Sequence, residues 1–153
     1  MLSSEKSPER KRIRIYAHGT TIGDIRSGGW AAFLKTDTGA KLISGHADGV
    51  TEMEMELEAI YQGLHALDDR YRLSLLTGSP QVRKILKEEA TAGDNYLRVH
   101  EINGELSRHD FSIGSHELGH EKGEPLEDGA RNSLEYARRA AVHGTVLKEG
   151  EPY

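Results

Sequence analysis

The strongest constraint on the fold is a nine-residue stretch near the start of the chain, RIRIYAHGT at residues 12–20. Ile13, Ile15 and Ala17 alternate with polar or amphipathic residues, which is the period-two pattern of a strand with one buried face. The pattern therefore predicts that these three side chains are buried and that Tyr16 faces away from the core. Gly19 is expected in the turn that ends this strand.

The rest of the chain alternates between strand and helix patterns. Thr51 and Glu54 form a capping box that opens a helix, and Ser79-Pro80 is a cap followed by a proline at the first helical position. The predicted strands are at about 11–18, 28–36, 41–46, 71–77 and 111–118, the last alternating around Phe111, Ile113 and Leu118. The predicted helices are at about 52–68, from Pro80, at 96–106 interrupted by Gly104, and at 126–142.

This order predicts an α/β domain with a mixed five-stranded sheet flanked by helices, three antiparallel strands coming first and parallel strands after. We expect the apolar stripe of the first long helix to face the core: Met53, Leu57, Ile60, Leu64 and Leu67. The predicted domain covers residues 11–144, between a flexible polar leader (1–10) and a polar tail (145–153).

Composition narrows the class of protein. The 153 residues include no cysteine, which excludes disulfides and thiolate metal sites and fits a cytoplasmic protein. No apolar run is long enough to span a membrane. The net charge of −5 argues against strong nucleic-acid binding, because proteins that bind nucleic acid usually have basic surfaces.

The motif order resembles ribonuclease H type 1 across roughly residues 12–141. The matching pieces are Ile15 to Thr20, Gly28-Gly29-Trp30, Met55-Glu56-Leu57, Leu76 to Ser79, Gly119-His120 and Ala137 to Ala141. The resemblance implies a ribonuclease H-like fold and an ancestral activity, hydrolysis of the RNA strand of RNA–DNA hybrids by two Mg²⁺ ions held by four carboxylates. It also implies nucleic-acid contacts near Gly19, Thr20, Thr21 and Ser79.

Most of the family's catalytic carboxylates are replaced in this sequence. The first-helix glutamate is present as Glu56, and the histidine after the last strand as His120. The first-strand aspartate falls on His18, and the aspartate after the fourth strand on Gly78. The terminal-helix aspartate falls on Asn132, or on Asp128 if the loop is aligned differently, which makes Glu56 and Asp128 the candidate metal ligands.

This replacement predicts that hydrolysis is lost or strongly impaired. Mg²⁺ prefers hard anionic oxygen ligands, and two such ions close together need several carboxylates. One carboxylate, an imidazole, a glycine and an amide do not balance that charge. The two amides with which the family contacts the hybrid are also replaced, by Glu52 and Met53, and carboxylates repel phosphates.

In two other hypotheses, histidine side chains bind a metal ion. His18, Glu56, His120 and Asp128 would form the site of a divergent nuclease that prefers Mn²⁺. His116-Glu117-Leu118-Gly119-His120 fits the H-E-x-x-H pattern of zinc metalloproteases, which requires the motif to lie on a helix. Here the pattern is strand followed by loop, which favours a chance match.

The sequence as a whole favours a catalytically inactive homologue of ribonuclease H. We expect such a protein to associate weakly with an RNA–DNA hybrid or another nucleic acid, or with a protein partner, and not with a membrane. It would need no cofactor, or Mg²⁺ or Mn²⁺ if it is active. A pure protein-interaction module is the remaining alternative.

Overall fold

The computed structural model of the protein describes residues 10–23, 27–115, 131 and 135–140. Its strands are β1 (Lys11–Ile22), β2 (Ser27–Thr36), β3 (Gly39–Asp48), β4 (Tyr71–Thr77) and β5 (Asp110–Ser115). Its helices are α1 (Glu52–His65), α2 (Pro80–Leu86) and α3 (Tyr96–Leu106), with a 3₁₀ turn at Gly93–Asn95. Residues 135–140 are also helical, within the predicted terminal helix. None of the described helices is both long and apolar enough to cross a membrane.

The five strands form one mixed sheet in the order β3-β2-β1-β4-β5. β1 pairs antiparallel with β2, and β2 pairs antiparallel with β3. β4 pairs parallel with β1 on one side and with β5 on the other. The predicted fold class, three antiparallel strands followed by parallel ones, is therefore confirmed.

The main core lies between the sheet and α1. Ile13, Ile15 and Ala17 of β1 are buried there, as the alternation predicted. Four members of the predicted α1 stripe are buried as well, and Met53 packs against them from a half-buried position: Leu57, Ile60, Leu64 and Leu67. Thr51 and Glu54 form the predicted capping box, which fixes where α1 begins.

Gly19 is not in a turn. β1 continues to Ile22, and the turn begins at Gly23, whose φ of 80° favours glycine. Gly19 instead pairs with Trp30 inside the hairpin. Its missing side chain serves packing: a Cβ there would lie 2.2 Å from the backbone nitrogen of Glu56. The glycine signal was correct, but its cause is the close approach of α1 to β1.

Two further predictions were wrong in detail. Tyr16 is on the sheet face opposite α1, as the alternation requires, but it is only 2% exposed, with the ring of Phe33 beside it. Gly104 does not interrupt α3, whose hydrogen bonds continue to the C-cap at Ser107.

Several predictions fall outside the described residues. These are the polar leader up to residue 9, the tail at 145–153, the end of the last predicted strand beyond Ser115, and most of the terminal helix. In the part of that helix that is described, Ala137 and Ala140 are fully buried.

Candidate active-site cleft

A cleft of about 350 Å³ opens where the carboxyl ends of β1 and β4 meet the first turns of α1. The ends of parallel neighbouring strands are a common place for a site in an α/β sheet. Residues of β1, of α1, of the turn after β4 and of the start of α2 line this cleft: His18, Gly19, Glu52, Met53, Glu56, Gly78, Ser79 and Pro80. We call it the Glu56 cleft.

The Glu56 carboxylate is 2% exposed and accepts three hydrogen bonds from the protein. Its Oε1 accepts from the backbone N–H of Gly19 at 2.8 Å. Its Oε2 accepts from the backbone N–H of Gly78 at 2.8 Å and from the hydroxyl of Thr77 in a short hydrogen bond. The carboxylate thereby joins the ends of β1 and β4 to α1.

The local sequence explains this arrangement. Gly19 allows the backbone of α1 close enough to β1 for its N–H to reach Glu56, because any Cβ would overlap Met55 and Glu56. Thr77 is the last residue of β4, and its Oγ1 also accepts a hydrogen bond from the Ser79 N–H at 3.1 Å. A β-branched residue at the strand end thus organises the turn into α2 and supplies a donor for Glu56.

Burial raises the pKa of Glu56 from its ordinary value of 4.5 to about 7. Desolvation of the charged form is the main cause, and the nearby charge of Glu52 acts in the same direction. The hydrogen bonds from Thr77, Gly19 and Gly78 oppose the rise, because they stabilise the carboxylate. Glu56 therefore changes protonation near neutral pH.

The described residues of the cleft do not fit a pair of Mg²⁺ ions. Both oxygens of Glu56 already accept hydrogen bonds from the protein. Glu52, the other carboxylate of the cleft, is exposed, His18 offers a nitrogen and Gly78 no side chain at all. Within the described part of the chain, no three His, Asp or Glu side chains form a group that could hold a metal.

The structure brings some of the candidate site residues together. His18, Glu56 and Gly78 all line the cleft, with Gly19 and Ser79 beside them. Thr20 and Thr21 continue β1 and do not line it. The Ser79 hydroxyl caps α2, accepting a hydrogen bond from the Val82 N–H at 3.1 Å.

Four other candidate positions lie outside the described residues: His116, His120, Asp128 and Asn132. The prediction that the H-E-x-x-H pattern lies off a helix therefore stays a prediction. Sequence reasoning also missed one functional group, the Thr77 hydroxyl. Its position directly before Gly78, at the end of a predicted buried strand, was the available signal.

The hydrogen bonds of Glu54 indicate that it caps α1 rather than binds a ligand. Its side chain accepts a hydrogen bond from the Thr51 N–H at 2.7 Å, and its own N–H donates to the Thr51 hydroxyl at 3.0 Å. It therefore serves the helix end. Glu52 lines the mouth of the cleft as an exposed carboxylate in the first turn of α1.

No family model matches the chain. Part of the chain is similar to proteins named ribonuclease H. One from Thermus thermophilus is 37% identical over 79 residues, which are 52% of this chain and 48% of that protein. One from a Thermoanaerobacter species is 37% identical over 89 residues, or 56% and 57% of the two chains. The chain thus spans about half the length of the curated relatives it matches.

Solved structures share the fold over most of the chain. The N-terminal RNase H domain of a Mycobacterium tuberculosis protein, solved as a fusion with maltose-binding protein, gives a TM-score of 0.68 at 12% identity, over 90% of this chain and 99% of that one. LC11-RNase H1 in complex with an RNA/DNA hybrid gives 0.62 at 15% identity, over 87% and 99%. The fold is that of a ribonuclease H domain, and the predicted resemblance to ribonuclease H type 1 is confirmed.

Proposed function

We propose that this chain is a ribonuclease H-like protein that has lost two-metal hydrolysis of phosphodiesters, or retains only a strongly impaired form, and that it associates with nucleic acid. Homology to ribonucleases H supports the ancestry. The observation that carries the proposal is the environment of Glu56. An ionised carboxylate has about four acceptor sites, and three of those of Glu56 accept hydrogen bonds from Gly19, Thr77 and Gly78, which leaves about one for a metal ion.

The residues around Glu56 support the same conclusion. Two Mg²⁺ ions would place four positive charges in a cleft whose described carboxylates are Glu56 and the exposed Glu52. With a pKa of about 7 in the metal-free cleft, Glu56 would bind an ion near neutral pH only in competition with a proton. The remaining role of Glu56 is structural, since it connects α1 to the ends of two strands.

The proposed association with nucleic acid is supported by similarity to ribonucleases H and not by the geometry of the Glu56 cleft. The similar proteins are named ribonuclease H, and one structural neighbour was solved with an RNA/DNA hybrid. The mouth of the Glu56 cleft carries Glu52, which disfavours a phosphate there. We therefore expect contact with nucleic acid to be weak at this mouth.

A cleavage assay tests the proposal. The purified full chain is incubated with a labelled RNA–DNA hybrid in Mg²⁺ and, separately, in Mn²⁺, beside an active ribonuclease H. We expect no cleavage above that of buffer with either metal. Cleavage that Glu56→Gln abolishes and Glu54→Gln preserves would overturn the proposal, because Glu54 caps α1 and does not line the Glu56 cleft.

The competing function is the divergent nuclease that uses Mn²⁺. One observation favours it: His18 and Glu56 line the same cleft, and imidazole is an acceptable ligand for Mn²⁺. This function predicts cleavage with Mn²⁺ and none with Mg²⁺, lost in both His18→Ala and Glu56→Gln. Absence of cleavage with Mn²⁺ removes it.

A further inference from the structure

A second concave surface lies on the sheet face opposite α1, where β1, β2 and β4 form a cleft of about 410 Å³. Its side chains include four exposed cations: Arg12, Arg14, Lys35 and Arg72. Among the described residues, Asp37 is the only carboxylate in the lining. We call this surface the basic cleft. It is a concentration of positive charge in a chain whose net charge is −5.

Strand register places the four cations on one face. Arg14 is opposite Lys35 across the β1–β2 pair, and Arg12 is opposite Arg72 across the β1–β4 pair. Alternation sends the intervening Ile13 into the main core on the other side. The cations therefore form a compact group over three neighbouring strands.

This arrangement opposes stability. Like charges directly opposite each other on paired strands repel, and Arg12 and Arg72 are such a pair on β1 and β4. In the described part of the chain, no ion pair involves Arg12, Lys35 or Arg72, although Asp110 is the register neighbour of Arg72 on β5. Local rules of stability are commonly broken where a protein binds something. An anionic ligand would offset the repulsion.

We propose that the basic cleft binds the phosphate backbone of a nucleic-acid strand; this inference rests on the proposed association with nucleic acid and assigns it to a surface. Three of the four cations are arginines, whose planar forks match phosphate oxygens in bidentate fashion. Arg12 and Arg14 are two residues apart on a strand, or about 6.7 Å. That distance is comparable to the spacing of consecutive phosphates. Ser74 adds a hydroxyl donor to the lining.

The basic cleft is distinct from the Glu56 cleft. Gly19, which contacts Glu56, is seven residues along β1 from Arg12, or about 23 Å. The two clefts also use opposite ends of the strand, and the cations face away from α1. A strand bound by the cations is therefore held away from Glu56. This position suits a protein that binds nucleic acid without cutting it.

A nucleic acid fits this surface better than an anionic membrane does. Peripheral membrane binding combines positive charge with apolar side chains that enter the bilayer. Ile13 is the only apolar residue among the described ones that line the cleft, and it is buried in the core. A concave surface with arginines and hydroxyls instead matches a phosphate chain that lies within it.

The test is a binding titration of the full chain by fluorescence anisotropy, with labelled RNA–DNA hybrid, duplex DNA, single-stranded DNA and single-stranded RNA. The double variant Arg12→Gln/Arg72→Gln removes two charges from the basic cleft. The matched control Lys84→Gln/Lys87→Gln removes two charges from exposed positions on and next to α2, outside both clefts.

We expect the cleft variant to weaken binding of the preferred nucleic acid about tenfold or more at low salt, and the control to change it little. For a duplex, the slope of log K against log salt should fall by about 2, roughly one for each lost phosphate contact. Thermal unfolding should show the cleft variant as stable as the wild type or more so, since it relieves a like-charge pair.

Two results would overturn this inference and leave nucleic-acid association standing: binding unchanged in the cleft variant, or weakened equally in the cleft variant and the control. No binding to any of the four nucleic acids would overturn both the inference and the proposed association. Binding to phosphatidylserine vesicles that depends on Arg12 and Arg72, with none to nucleic acid, would also overturn the inference in favour of a membrane.

Discussion

Glu56 is connected to the protein by donors from two strands that are far apart in the sequence. Gly19 lies 37 residues before it and Thr77 lies 21 residues after it. A carboxylate with this many short contacts and 2% exposure has little freedom to turn toward a ligand. At the level of the single residue, Glu56 is therefore a structural connection whose charge depends on pH.

The pKa of Glu56 predicts a contribution to the pH dependence of stability. Because its pKa is about 7 in the folded protein and 4.5 when unfolded, the folded state keeps a proton between these values that the unfolded state has lost. This contribution therefore favours folding below pH 4.5 and is lost as pH rises through 7, by roughly 3 kcal/mol. The measurement is urea unfolding of the wild type and of Glu56→Gln at a series of pH values. The difference between their free energies of unfolding isolates the contribution of Glu56, because the contributions of the other titrating groups cancel.

The difference in free energy of unfolding, wild type minus Glu56→Gln, should fall as pH rises from 4.5 to about 7. A flat or rising difference contradicts the structural role described for Glu56. Thr77→Val provides a second check. It removes the hydrogen bond that most lowers the pKa of Glu56, so the pKa should rise further. The loss of stability with rising pH should then continue to a higher pH than in the wild type.

Gly19→Ala tests the close approach of α1 to β1. The new Cβ would lie 2.2 Å from the Glu56 nitrogen and 2.3 Å from the Met55 carbonyl carbon, which are backbone atoms that move only with the helix. We expect a loss of stability of about 1–3 kcal/mol or more. Gly39→Ala is the matched control, because nothing lies within 4 Å of its added Cβ. Equal melting temperatures for the two variants would contradict the packing described here.

At the level of the element, α2 ends in a hydrogen-bond pattern that normally uses glycine. Glu88 has a φ of 63°, its N–H donates to the Ile85 carbonyl at 3.0 Å, and the Glu89 N–H donates to the Lys84 carbonyl at 2.8 Å. These are the two bonds of a Schellman motif, in which the left-handed residue is most often glycine. A glutamate there stores conformational strain.

Glu88→Gly should therefore stabilise the protein by about 0.5–1 kcal/mol, since the relief of strain exceeds the entropy that glycine adds to the unfolded state. Glu89→Gly removes the same charge one residue later, where φ is not positive, and should not stabilise. Denaturant unfolding measures the free energy of unfolding of both variants and of the wild type. A lower stability for Glu88→Gly than for the wild type would be the contrary result.

Sequence patterns predicted each element but not its details. Alternation predicted β1 and β2, and caps predicted the starts of α1 and α2, because burial of one face and satisfaction of helix ends are local effects. Gly104 was expected to interrupt α3, yet the helix continues through it. Helix propensity is a weak preference that packing of Val99, Ile102 and Leu106 overrides.

For the whole molecule, the fold could be predicted, whereas the state of the candidate site could not. The resemblance to ribonuclease H implied that His18, Glu56 and Gly78 lie at one site, and all three line one cleft. It did not show that Gly19, Thr77 and Gly78 donate to Glu56, because these bonds depend on distances between elements. The basic cleft was hidden for the same reason, since its cations come from three strands.

Among the described residues, the two clefts differ in the charge of their linings. A net charge of −5 argued against strong binding of nucleic acid, but an average charge does not describe a surface. Glu52 lies at the mouth of the Glu56 cleft, while Arg12, Arg14 and Arg72 lie on the other face of the sheet. The Glu56 cleft is therefore separate from the surface proposed to bind nucleic acid.

Whether Glu56 is a structural residue or a metal ligand can be seen directly in a crystal of the full chain soaked in Mn²⁺, with data collected at the manganese absorption edge. We predict no pair of anomalous peaks beside Glu56, whose carboxylate should still accept hydrogen bonds from Gly19, Thr77 and Gly78. Two Mn²⁺ ions bridged by a Glu56 oxygen, with those hydrogen bonds broken, would contradict the proposed loss of two-metal hydrolysis.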